Sequence, residues 1–178
     1  MDYKKLRDTR NSSNPFAQRL GIFVEEIGPG YARAVKDITA EDANPVGVAH
    51  GGCYFSLADT ACGSAMASHG YYAVTVNASY NFLRSAKLGD HLVAEARETK
   101  PGRTLCFYEV EIRDQAGTLL GNGSFTFYKL DADGNWIVLP DAPTLGEPGS
   151  YQAKLPLTDG TLEDGSVDTV TYHIYSRG

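Results

Sequence analysis

Cysteine is scarce in this 178-residue chain, and the three present, Cys53, Cys62 and Cys106, are odd in number and far apart. That spacing excludes a disulfide framework and a paired metal knuckle, and leaves small buried thiols. Long apolar runs are missing too. None approaches the roughly 20 residues needed to cross a bilayer, and the opening Met1-Asp2-Tyr3-Lys4-Lys5 lacks the apolar stretch of a secretory signal. The expectation is a cytoplasmic protein with no membrane partner. Positive charge is in deficit: the net charge is -6, and residues 131–178 hold eight acids against two bases, while the first 130 residues balance at 14 and 14. No basic field exists to concentrate a polyanion, which argues against nucleic acid as a partner. The one basic cluster, Lys4 to Arg10, is interleaved with Asp8 near a terminus and reads as a solvated helix face. His50, His69, His91 and His173 are scattered, with no His-Glu-x-x-His helix, so neither a metal nor a cofactor is expected. A Gly-x-Ser-x-Gly elbow and a Gly-rich phosphate loop are absent as well, against a serine triad and a nucleotide enzyme.

What is present falls into two regions. Beyond residue 130, Pro140, Pro143, Pro148 and Pro156 lie among Gly and Asp, residues that punctuate structure. The division expected is an N-terminal segment 1–13, a domain 14–130 and an acidic extension 131–178. Within the extension only Trp136 to Leu139 and Val167 to Tyr175 look like strands. In the domain, Asn14-Pro15 through Leu20-Gly21 carries a capping residue, a first-turn proline and a closing glycine, which predict a short helix. Ile22 to Ile27 and Tyr31 to Ile38 flank Gly28-Pro29-Gly30 and predict a hairpin. Four extended segments follow at about 72–84, 91–99, 104–113 and 118–129, with separators so short that antiparallel neighbours are expected. Cys106, Tyr108, Val110 and Ile112 alternate with Glu109, Glu111 and Arg113, so one face is buried and the other wet.

Residues 51–69 do not alternate. They are small or apolar all round, which predicts a helix enclosed by protein. Asp59 is the ionisable group within it before His69. It has two readings: a carboxylate tolerated because it performs chemistry, or one turned to a solvent-filled seam or a neighbouring backbone. At the helix start, Gly51 and Gly52 carry no side chains to obstruct a ligand, so the free N–H groups there can receive an anion or an oxyanion, or simply make a tight entry turn. Eight residues from Gly51 to Asp59 span roughly 12 Å of helix axis. One chain cannot aim both at a single atom, so a shared reaction requires two copies with helices side by side.

The run Asn44-Pro45-Val46-Gly47-Val48-Ala49-His50-Gly51-Gly52, followed by Phe55-Ser56-Leu57-Ala58-Asp59-Thr60, resembles the hot-dog-fold acyl-CoA thioesterases of the PaaI type. Val74-Thr75-Val76-Asn77, Phe82 to Asp90, Gly102-Arg103 and the closing Gly117 to Phe127 fit the same family. The likeness covers about residues 14–129. It implies an α+β hot-dog fold, a long central helix wrapped by a curved antiparallel sheet of five or six strands. It also implies hydrolysis of acyl-CoA thioesters with small or aromatic acyl groups, at a site between subunits of a homodimer or a dimer of dimers. By the resemblance Asp59 is the nucleophile or the general base, and Gly51 of the partner chain, with Gly52 beside it, donates to the thioester oxygen. Asn44 positions the carbonyl or the water, His50 orients the loop, and Thr75 assists the water or merely packs. Ser85 stands where many relatives have proline, and Gly63 where another branch carries a threonine. Arg84, Lys87, Lys100 and Arg103 are the cations available to CoA phosphates, and Tyr54, Phe55 and Met66 the residues expected around the acyl group. The competing reading is a non-catalytic acyl-CoA-binding hot-dog module.

Overall fold

The computed structural model describes residues 1–130 and two short strands beyond them, Ser150–Ala153 and Val170–His173. The chain divides into two compact units, Met1–Trp136 and Ile137–Gly178. In the second, the two short strands β7 (Ser150–Ala153) and β8 (Val170–His173) pair antiparallel. The strand expected at Trp136 to Leu139 lies outside the described residues.

The first unit begins with helix α1 (Tyr3–Ser12), whose N-cap Asp2 accepts the Lys5 N–H at 3.0 Å. Helix α2 (Pro15–Arg19) follows, capped by the Asn14 side chain on the Ala17 N–H and opened by Pro15, as the sequence predicts. The hairpin of β1 (Ile22–Gly28) and β2 (Tyr31–Asp37) turns at Gly30, whose φ of +62° is open to glycine at no steric cost. A short 3₁₀ turn at Ala40–Asp42 and a loop lead into helix α3 (Gly51–Ala67). Strands β3 (Ala73–Phe82), β4 (His91–Lys100), β5 (Leu105–Arg113) and β6 (Leu119–Lys129) complete the unit.

The six strands form one antiparallel sheet in the order β1-β2-β4-β5-β6-β3, with α3 packed on its concave side in the hot-dog arrangement. Strict alternation on β5 puts Cys106, Tyr108, Val110 and Ile112 into the core. All three cysteines are buried and free.

Two expectations need correction. A short connection was expected to make β3 and β4 neighbours, but β3 pairs with β6 at the far edge and the sheet order separates it from β4. Residues 83–90, which can span roughly 25 Å when extended, instead cross the open end of the sheet. They are held by Leu83 and Arg84 N–H bonds to the Leu120 carbonyl, by the Ala49 N–H to the Ala86 carbonyl, and by the Gly89 N–H to the Ile38 carbonyl. The strap thereby carries the chain from the β3 edge to β4 in the middle of the sheet. The helix α3 is also less enclosed than its composition suggests. Gly52, Phe55, Ser56, Asp59, Gly63 and Ala67 escape full burial, and their spacing is that of a single helical stripe. The sheet wraps the rest of the helix and leaves that stripe uncovered.

Candidate active site

Asp59 lies on the open stripe of α3, half-buried. The Thr75 hydroxyl donates to its Oδ1 at 2.7 Å. The register of β3 against β6 shifts between Thr75 and Asn77, a bulge of the kind that re-aims a side chain beside a site. The carboxylate is thereby held by a strand residue sixteen positions away, while its other oxygen accepts no hydrogen bond among the described residues. Asp59 and Thr75 open on a cavity of about 670 Å³ whose wall also includes Met66, Phe16, Tyr71 and Phe127. Among the described residues the charged side chains on that wall are Asp59 and Arg10.

The second group of expected residues lies at the other end of α3. His50 is the N-cap, and its Nδ1 accepts the Gly52 N–H at 2.9 Å, which leaves Nε2 as the ring's N–H. The Cys53 N–H bonds the His50 carbonyl at 2.9 Å. The Gly51 amide has no hydrogen-bond partner among the described residues, the state a donor for an incoming oxygen requires. Asn44 organises the preceding loop: its Oδ1 accepts from the Val46 and Val48 N–H groups at 3.0 and 3.2 Å, and its main chain bonds Val48. Asn44, His50, Gly51 and Gly52 are absent from the Asp59 cavity wall. One chain therefore assembles Asp59 with Thr75, and Asn44 with the helix start, but does not join the two sets.

Below the loop sits a buried ion pair. Asp42 Oδ1 meets Lys36 Nζ at 2.9 Å, Lys36 also donates to the Leu20 carbonyl, and Asp42 Oδ2 accepts from the Thr39 N–H and hydroxyl. Burial pushes the Asp42 carboxyl up, but the Lys36 and Thr39 hydrogen bonds and the Lys36 charge outweigh it and hold the group below its ordinary value. The Asp42 carbonyl takes the His50 N–H at 2.8 Å, so this pair supports the loop that presents Gly51.

Of the residues expected around the acyl group, Met66 lines the cavity. Tyr54 is instead core: its hydroxyl takes the Ala86 N–H and its ring meets Phe82 edge-on at 5.9 Å between centroids. Phe55 is partly exposed and packs on Phe125 and Tyr80. Arg84 and Lys87 are exposed on the strap beside the helix start, whereas Lys100 and Arg103 are exposed at the β4–β5 turn, the opposite end of the β5–β6 ladder. Among the described residues no cluster of His, Cys, Asp or Glu could hold a metal ion, and no helix is long and apolar enough to cross a membrane.

Sequence reasoning missed Lys36, Asp42 and Arg10. Lys36 had a signal: period-two alternation puts it on the face of β2 that carries Ala32 and Ala34, the core face. Arg10 had none, because its contact is with Gly63 and Ser64 of a helix more than fifty residues on.

A sequence-family model described as the thioesterase superfamily matches residues 46–120. The acyl-coenzyme A thioesterase PaaI of Escherichia coli is 37% identical over 99 residues, 56% of this chain and 71% of that protein. Its solved structure superposes with a TM-score of 0.65, covering 70% of this chain and 96% of that one at 30% identity. Human acyl-coenzyme A thioesterase 13 is 30% identical over 127 residues, 69% of this chain and 88% of that protein. A Streptococcus mutans protein solved with acetyl CoA bound is 30% identical, with a TM-score of 0.60 over 61% of this chain and 88% of that one.

Proposed function

The chain belongs to the thioesterase superfamily and is an acyl-CoA thioesterase of the PaaI type, and from that premise we propose that it hydrolyses small or aromatic acyl-CoA thioesters at a site built from two copies of the chain. The observation that carries this reading is the division of the site residues. The oriented carboxylate of Asp59 and the unpartnered amide of Gly51 lie on one helix, roughly 12 Å apart along its axis. Two copies with their helices antiparallel bring each Asp59 to the other copy's Gly51. The sheet supports such a pairing, since β3 is an edge strand and carries exposed Tyr72, Val76, Phe82 and Leu83 at or beside it. An unpaired edge with apolar side chains invites a partner.

In this reading Asp59, steadied by Thr75, takes a proton from water as the water oxygen attacks the thioester carbon, or attacks that carbon itself. The negative oxygen of the tetrahedral intermediate accepts the Gly51 N–H of the second copy, in the low-reorganisation setting of a helix start. Collapse breaks the carbon–sulfur bond: where water attacked, the CoA thiolate recovers the proton held by Asp59; where Asp59 attacked, the thiolate leaves an aspartyl anhydride, which water hydrolyses to the free acid and the Asp59 carboxylate, a proton from that water passing to the thiolate. Asn44 and His50 hold the loop that aims Gly51. Arg84 and Lys87 of the copy supplying Gly51, and Lys100 and Arg103 of the copy supplying Asp59, are the cations open to CoA phosphates. Residues 14–130 carry the reaction, and segment 1–13 closes the acyl cavity.

Thiol release from a panel of short, medium and aromatic acyl-CoAs tests the activity, and Asp59→Asn is expected to lower turnover about 100-fold or more with circular dichroism unchanged. Complementation tests the shared site. Asp59→Asn and Gly51→Pro proteins, each inactive alone, are unfolded together and refolded as a mixture; random pairing restores about one quarter of wild-type activity, because half of the pairs are hybrids with one intact site. A mixture no more active than its components overturns the two-copy site, and full activity of Asp59→Asn overturns the chemistry.

A further inference from the structure

Arg10 is the one cationic side chain on the cavity wall among the described residues, and the carboxylate on that wall, Asp59, acts on it through its charge and not through an ion pair. It forms no ion pair among the described residues, unlike Arg7 of the same helix, which is paired with Asp8. Among the described residues it makes one hydrogen bond, from Nε to Ser64 Oγ at 3.4 Å, and that hydroxyl in turn donates to the Thr60 carbonyl at 2.7 Å. A guanidinium has five N–H donors, so most of its donor capacity is unspent. Its position is nonetheless enforced. The next residue, Asn11, clamps α1 to β1 through its side chain, donating to the Val24 carbonyl at 2.9 Å and accepting the Val24 N–H at 2.8 Å. The guanidinium then lies across Gly63, where a Cβ would stand 3.3 Å from Nη2. Glycine at that position leaves the passage clear.

Gly63 and Ser64 follow Asp59 by four and five residues, roughly 6 to 7.5 Å along the helix. A thioester carbonyl held at Asp59 therefore directs a short acyl chain past Met66 and Phe127 toward the guanidinium. A neutral chain end would leave a half-buried cation desolvated and unpaired, which is costly. A carboxylate end would meet it with paired charge-assisted hydrogen bonds and would be shielded from the repulsion of Asp59. Burial lowers the Arg10 guanidinium from its ordinary value while the Asp59 charge opposes that.

We propose that Arg10 is a specificity-determining residue that selects acyl-CoA substrates whose short acyl group ends in a carboxylate, the monothioesters of dicarboxylic acids. This rests on the reading of the cavity as the acyl site.

The test is kcat/KM for matched pairs in which only the chain end differs: glutaryl-CoA against pentanoyl-CoA, and adipyl-CoA against hexanoyl-CoA. Wild type is expected to favour the carboxylate member by about 10-fold or more, chiefly through KM. Arg10→Met, and Arg10→Gln should the first fold poorly, abolish that preference and bring the ratio of charged to neutral members to about 1 or below, and Arg10→Lys retains part of it. A role confined to holding α1 would lower both members of a pair alike and would not move their ratio. Turnover of the neutral members with no preference for the charged ones, or a preference that survives Arg10→Met, overturns the Arg10 assignment alone. Absence of turnover in both series overturns the thioesterase site and this assignment with it.

Discussion

Replacing Asp42 by Asn keeps the side chain's shape and removes its charge. Lys36 is 3% exposed and Asp42 7%, and the ammonium's contacts are the Asp42 carboxylate and the Leu20 carbonyl. After the substitution the buried cation keeps one neutral acceptor. Breaking a buried pair from one side costs about 3–5 kcal/mol, because the remaining charge is desolvated without compensation. Against a total stability of about 5–15 kcal/mol that is a large share, and it corresponds to a fall in Tm of roughly 10 °C or more. The Thr39 N–H and hydroxyl can still bond the Asn oxygen, so the loss belongs to the charge. Urea unfolding of residues 1–136 within the full chain, followed at pH 7, measures it. The sign of the pH dependence is fixed by the depressed carboxyl. A group whose folded pKa lies below its unfolded value of about 3.9 contributes fully above that value, and the contribution disappears as pH falls through the folded pKa. The gap between wild type and Asp42→Asn should therefore be full at pH 7 and shrink below about pH 4. A double substitution, Lys36→Met with Asp42→Leu, should recover most of the loss, since an apolar pair of similar volume often matches a buried ion pair. A loss under about 1 kcal/mol for Asp42→Asn, or a gap that persists unchanged at pH 3, would refute the argument.

Thr75→Val removes the hydroxyl donor to Asp59 and keeps the strand; the loss of one hydrogen bond to a charged group predicts a kcat lower by about 10- to 100-fold, with Tm unchanged. Gly51→Pro deletes the amide donor at the first helical position, where proline is tolerated. Its ring presses on Phe82, an exposed side chain able to move aside, so turnover should fall about 100-fold or more while helicity by circular dichroism is preserved. Burial pushes the Cys53 and Cys62 thiols up, and Cys106 is equally enclosed. None of the three should react with a thiol reagent until denaturant is added, so release of CoA can be followed with the same reagent against a flat background.

The strands and the long helix were legible because their signals are local. Alternation on β5 and the caps of α2 are read within a few residues of themselves. What could not be read was which elements meet. The short separator before β4 pointed to a neighbour, yet the strap over the helix start carries the chain from one edge of the sheet to its middle. The same limit divided the site. Asp59 stood out because a carboxylate amid alanines is conspicuous, but its bond to Thr75 depends on a bulge in a strand that pairs with β6.

Arg10 marks the far end of that gradient. In sequence it is one of several bases on a short polar helix, with Arg7 as a near twin. The difference arises from the neighbours each residue meets in space. Arg7 has an acid beside it in the chain, while Arg10 meets Gly63, a place on α3 where a side chain is missing. A cation becomes informative only when its surroundings deny it an easy partner. In the proposed reading two sites on one helix follow a single logic: at Gly51 the missing side chain leaves an amide open to an oxygen that develops charge, and at Gly63 it admits a guanidinium to the wall of a cavity. Small residues that read as packing material are thus the positions at which α3 accepts its polar neighbours, and substituting either should change the chemistry before it changes the fold.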